Sequence, residues 1–91
     1  MASKRSLNEE RIRMAIEILS QVATDTGVPR NIREACKDAI NFLNDKKVPS
    51  LAVRAANAID RLDEVIQEPT MPMFARTSIW KAISILEQIR D

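Results

Sequence analysis

Apolar residues recur along this chain in steps of three and four, four times over. The first set is Ile12, Ala15, Ile16, Leu19, Val22 and Ala23. The other three fall into line when the chain is aligned on Pro29, Pro49 and Pro72. Three places past each proline stand Ile32, Ala52 and Ala75; seven past, Cys36, Ala56 and Ile79; ten past, Ala39, Ile59 and Ala82. Larger side chains follow near each end: Phe42 and Leu43, Leu62 and Val65, Ile85 and Leu86. A step of three or four residues returns to the same face of a 3.6-residue turn, so each set is the buried stripe of one helix. The pattern predicts an all-α protein with helices near 7–25, 29–45, 49–67 and 72–90.

The boundaries carry their own signals. Ser6 and Glu9 have the spacing of a capping box, which predicts the start of the first helix there. Gly27, the single glycine, is placed to take a left-handed terminal conformation after that helix. Each proline suits a first turn, where its missing N–H leaves nothing unpaired. The corners repeat one phrase, an acid four places before proline and an arginine four or five places after it. The copies are Asp25–Pro29–Arg33, Asp45–Pro49–Arg54 and Glu68–Pro72–Arg76. Short connections favour antiparallel neighbours, giving a four-helix up-and-down bundle over residues 7–91, with 1–6 as a flexible tail. Two HEAT-like helical hairpins are the alternative, because a pair of these helices spans about 43 residues.

Composition narrows the function classes. At 91 residues, 45% hydrophobic and 30% charged, the chain makes one folded domain. Fourteen Lys and Arg against 13 Asp and Glu leave a net charge of +1, which argues against nucleic acid as the partner. The cationic pairs Lys4–Arg5 and Lys46–Lys47 form no continuous basic stripe along the sequence. A lone cysteine, no apolar leader and no run of roughly 20 apolar residues point to the cytoplasm and away from membranes.

Candidate chemistry is sparse. The corner arginines Arg33, Arg54 and Arg76 have two readings: a row of guanidinium groups for an anionic partner, or struts bonded to corner acids and helix-end carbonyls. Their presence at every corner favours the struts. Trp80 lies one step off the core stripe, sharing an edge with Arg76 and Ile83; Met71, Met73 and Phe74 gather the other soft side chains nearby. These six are the candidate interface, since aromatic, Met and Arg side chains are enriched in contact surfaces; widening of the core is the competing reading. Cys36 lies on the stripe with no histidine anywhere in the chain, which predicts an inert buried thiol. Asp60, Asp63 and Glu64 crowd one stretch, but carboxylates on one exposed face are ordinarily just solvated. No phosphate loop, zinc motif or nucleophile–histidine pair is present, and nothing in the sequence calls for a metal or cofactor.

Three segments resemble a known family: Thr26–Arg33, Ala52–Ile59 and Pro72–Trp80. The family consists of short archaeal proteins catalogued only as an uncharacterised protein family, and the resemblance runs from about Asn8 to Arg90. It implies one compact helical domain in an archaeal cytoplasm and brings no activity, cofactor or catalytic residue. The expectation is a non-enzymatic interaction module that binds a protein partner or a second copy of itself. The alternative is an accessory nucleic-acid-binding protein using Lys4, Arg5, Arg11, Arg13 and Lys46–Lys47.

Overall fold

A computed structural model describes residues 3–91. Four helices follow one another: α1 Lys4–Ala23, α2 Arg30–Leu43, α3 Leu51–Asp63 and α4 Met73–Leu86. They form an all-α bundle. The first and last helices pack against each other as extensively as α2 packs on α3, while the seam between α3 and α4 is much thinner. Hydrogen bonds at one end fix the helix directions. Asn8 near the start of α1 donates to the Arg90 carbonyl past the end of α4, and Arg5 donates to the carbonyl of Pro49 just before α3. Sequence neighbours are therefore antiparallel.

The buried stripe proves more regular than alignment on the prolines suggests. Asn8, Ile12, Ala15 and Leu19 in α1 are matched by Ile32, Cys36, Ala39 and Leu43 in α2. Leu51, Ala55, Ala58 and Leu62 follow in α3, then Ala75, Ile79, Ala82 and Leu86 in α4. Alanine stands third and leucine fourth in every helix. The alanines let the axes approach, and the leucines fill the space beside them. The second hairpin repeats the first at a spacing of 43 residues, from Asn8 to Leu51 and from Leu43 to Leu86. In α3 the stripe lies one residue earlier than expected: Ala56 is exposed, Ala52 and Ile59 are half-buried, and Leu51 and Ala58 take the core positions. The start of the helix differs as well: Ser50, not Pro49, caps α3, its hydroxyl accepting the Val53 N–H, whereas Pro29 and Pro72 are themselves the caps of α2 and α4. The α3 stripe thus begins one place after its cap instead of three, in register with Asn8 of α1 43 residues earlier.

Two further boundaries differ from expectation. The cap of α1 is Ser3, whose Oγ accepts from the Ser6 N–H at 3.0 Å, so Ser6 lies inside the helix and Glu9 pairs with Arg5 instead of closing a capping box. Residues 3–6 therefore form the cap and first turn of α1; the rest of the expected tail, Met1 and Ala2, lies outside the described residues. Gly27 has no positive φ. Its N–H donates to Asp25 Oδ1 at 2.8 Å, and a Cβ at this position would lie 3.1 Å from that oxygen. The glycine serves a close approach rather than a left-handed turn.

Candidate functional site

The corners show how their repeated phrase works. In each, the carbonyl of the acid accepts the N–H of the apolar residue before proline: Val28 from Asp25, Val48 from Asp45, Met71 from Glu68. The acid side chains stay local, Asp25 accepting from Gly27 N–H, Asp45 from Lys47 N–H and Glu68 from the Thr70 hydroxyl. The arginines take the corner carbonyls: Arg33 Nε to Val28 O at 2.9 Å, Arg54 Nε to Val48 O at 2.6 Å, and Arg76 Nη2 to Glu68 O at 2.8 Å. Among the described residues no ion pair joins a corner acid to a corner arginine. Each guanidinium is a charged donor to a corner carbonyl: Arg33 and Arg54 take the carbonyls of Val28 and Val48, and Arg76 shares the Glu68 carbonyl with the Met71 N–H. All three stand four places after their cap, Pro29, Ser50 or Pro72, so the apparent drift of Arg54 against Pro49 is a shift of the cap.

The six candidate interface residues divide. Met71 and Ile83 lie in the core at 6% and 9% exposure, because the corner folds Met71 inward and Ile83 borders the α4 stripe. Arg76 is half-buried and committed to its corner. Met73, Phe74 and Trp80 are open to solvent at 74%, 52% and 52%. At 3.6 residues per turn, Met73, Thr77, Trp80 and Ser84 fall on one line directly opposite the buried stripe. Thr77 and Ser84 are exposed members of this line that the sequence pattern does not single out. The line carries no charge, and α4 contains only Arg76 and Lys81 as charged residues.

Other candidates close down. Cys36 is fully buried, and burial pushes its thiol up to about 12, with Arg61 opposing only weakly. A thiol held protonated in the core is a poor nucleophile. Arg61 pairs with Asp38 across α2 and α3 at 2.9 Å and with Glu64 at 3.1 Å, so of the three crowded acids Glu64 serves a local ion pair. No group of three or more His, Cys, Asp or Glu among the described residues could hold a metal, and no described helix is long and apolar enough to cross a membrane.

The basic residues end up closer together than the sequence suggests. Antiparallel packing brings the start of α1, the α2–α3 corner and the end of α4 to one end of a molecule 41 Å long. The half of the molecule at that end (residues 3–13, 37–57 and 80–91) holds ten Lys and Arg against six Asp and Glu; the other half holds four against seven. Lys4, Arg5, Arg11, Arg13 and Lys46–Lys47 all lie in the basic half. A groove of about 300 Å³ there has Ile12, Ile16, Leu43 and Leu51 as its apolar lining and Arg13, Lys46 and Arg54 among its polar residues. Beside it, Asp91 accepts from the Ser50 hydroxyl and from the Ala52 N–H at 3.2 Å; these bonds hold its carboxyl below the usual range.

Fold and surface together define a small bundle of two repeated helical hairpins whose last helix turns an uncharged face with Met73, Phe74 and Trp80 to solvent. The chain belongs to the uncharacterised protein family UPF0147, whose model matches residues 1–89. It is 55% identical over 84 residues to a UPF0147 protein of Aeropyrum pernix, covering 92% of this chain and 91% of that one. A UPF0147 protein of Metallosphaera sedula is 56% identical over 84 residues, covering 92% and 93%. Two crystal structures share the fold. The unknown-function protein MMP1188 matches with TM-score 0.86 and 39% identity, over 90% of this chain and 92% of that one. A UPF0147 protein from Thermoplasma acidophilum matches with TM-score 0.84 and 27% identity, over 92% and 98%.

Proposed function

We propose that this chain is a non-enzymatic interaction module of the archaeal cytoplasm that docks a protein partner on the outer face of α4. One observation carries the reading. Helices α2 and α4 occupy equivalent places 43 residues apart, yet where α2 turns Arg30, Asn31, Glu34, Lys37 and Asn41 to solvent, α4 has Met73, Phe74, Thr77, Trp80 and Ser84. Identical packing needs on the inner face leave the outer face free to differ, and a helix apolar on both faces is ordinarily covered on both. Trp and Phe supply the large, rigid contact area that dominates binding energy.

A photo-reactive amino acid at position 84 of α4, with position 41 of α2 as its equivalent control, tests the reading in living cells. Expected is a discrete adduct from position 84 and none from position 41. Equal labelling from both would show that the apolar face has no dedicated partner.

A second reading has support in the gathered basic half: an accessory role on nucleic acid through Lys4, Arg5, Arg11, Arg13 and Lys46–Lys47. It predicts binding to RNA or DNA that weakens steeply with salt. Absence of binding at low ionic strength excludes it.

A further inference from the structure

Resting on the docking face just described, we propose that its occupant is a second copy of this chain, laid antiparallel across α4 on a two-fold axis at Thr77.

Register supports a self-pairing. An isologous contact places each residue against its mirror position in the same patch. With Thr77 on the axis, Phe74 and Trp80 lie on opposite flanks of the contact at 3.6 residues per turn, so each aromatic side chain is set beside its own image in the other copy. Thr77, small and exposed, sits where two helices must approach most closely. Both aromatic side chains, each 52% exposed in the single chain, are then covered by the partner copy. Aromatic pairs of this kind add specificity beyond the area they bury.

Charge fixes the direction. Side-chain charge is +4 in the half where α4 ends and −3 in the half where it begins. The molecule is 41 Å long, several times a screening length of about 8 Å at physiological salt, so the two halves act as separate poles. Antiparallel pairing sets the basic half of each copy beside the acidic half of the other. Parallel pairing sets like beside like, which selects against it. A foreign helix would need both an apolar stripe and the opposite polarity; a second copy turned end for end has both.

Sedimentation equilibrium on the full chain, with Cys36→Ala as background, provides the test. Expected is a monomer–dimer equilibrium with Kd on the order of micromolar, as suits a contact smaller than the standard interface. Trp80→Lys is expected to weaken it at least about 30-fold, the scale of an interfacial hot spot, with the helical circular dichroism signal unchanged. Raised salt is expected to weaken it further. Thr77→Cys in the same background is expected to form an inter-chain disulfide on oxidation, and Ser84→Cys is not, since antiparallel copies hold those positions far apart. A monomer at every concentration up to about 0.1 mM, well above that Kd, overturns the inference, and so does a dimer that cross-links through Ser84→Cys instead of Thr77→Cys. A monomer that still yields a discrete adduct to another protein from position 84 in cells sinks self-association while leaving the docking face standing.

Discussion

Helices α2 and α4 are the same helix on the inside and different helices on the outside. Both run 14 residues, both are capped by proline, and both bury residues three, seven, ten and fourteen places beyond that cap. Four antiparallel helices of similar length need the same stripe wherever they stand, so the core leaves little room to vary. The outer faces carry no such constraint. On α2 they read Arg30, Glu34 and Lys37, the charged surface that keeps a helix in water. On α4 the equivalent places hold Met73, Thr77 and Trp80. The difference separates the residues that specify the bundle from those left over for contact.

The largest test falls on the shared interior. Leu43 and Leu86 occupy the same stripe position and are each 1% exposed. Leu43→Ala and Leu86→Ala are each expected to cost about 2–5 kcal/mol, as truncations in a packed core do. Urea denaturation decides it, and a large inequality between the two would break the equivalence of the helices.

Next comes the one place where the stripes differ chemically, Cys36 against Ile79. Burial holds the Cys36 thiol up to about 12, from an ordinary 9.0. The unfolded chain loses this proton first, so between those values the folded state binds more protons and stability falls as pH rises. The expected slope is about 1.4 kcal/mol per pH unit above pH 9, with none from this group below it. Cys36→Ala removes that component, leaving the alkaline loss due to other groups; identical pH profiles for the two proteins would mean that the thiol is not sealed.

Smaller still is the corner bond. Arg33→Ala and Arg76→Ala each free a carbonyl from a charged donor and are expected to cost about 1–2 kcal/mol. Lysine cannot reproduce the planar fork and restores only part of this. Equal losses would show that Val28 O and Glu68 O are equivalent acceptors, although the two arginines reach different residues of their corners.

Much of this fold is legible in the amino-acid order alone. Four stripes, their approximate limits and the antiparallel order follow from period and loop length. The frame of α3 does not, because alignment on Pro49 expects the stripe three places beyond the proline, whereas Leu51 stands two beyond it. Nor does the cap, since Pro49 looks like Pro29 and Pro72 while it is the Ser50 hydroxyl that reaches the Val53 N–H. Met71 and Ile83 enter the candidate interface by proximity to Trp80 along the chain, whereas burial depends on angle around the helix. The outward line through Met73, Thr77, Trp80 and Ser84 is contained in a 43-residue self-comparison, which places Trp80 opposite Lys37. Separation of charge into two poles is not, since it requires knowing which helix ends meet.

Exchanging the outer faces while leaving the stripes alone separates contact from folding. A variant carrying Met73→Arg, Phe74→Asn and Trp80→Lys gives α4 the residues that α2 has at the same places. These side chains are exposed and contribute little to the monomer's core, so the isolated chain is expected to change stability by no more than about 0.5 kcal/mol per site. Any association through α4 should vanish at the same time, because the aromatic anchors are gone and three positive or polar groups face their own images. Thermal unfolding measured well below the dissociation constant, beside sedimentation at high concentration, separates the two effects. If stability dropped as far as for a core leucine, Phe74 and Trp80 would belong to the fold, and the outer face of α4 would have to be counted with its inside.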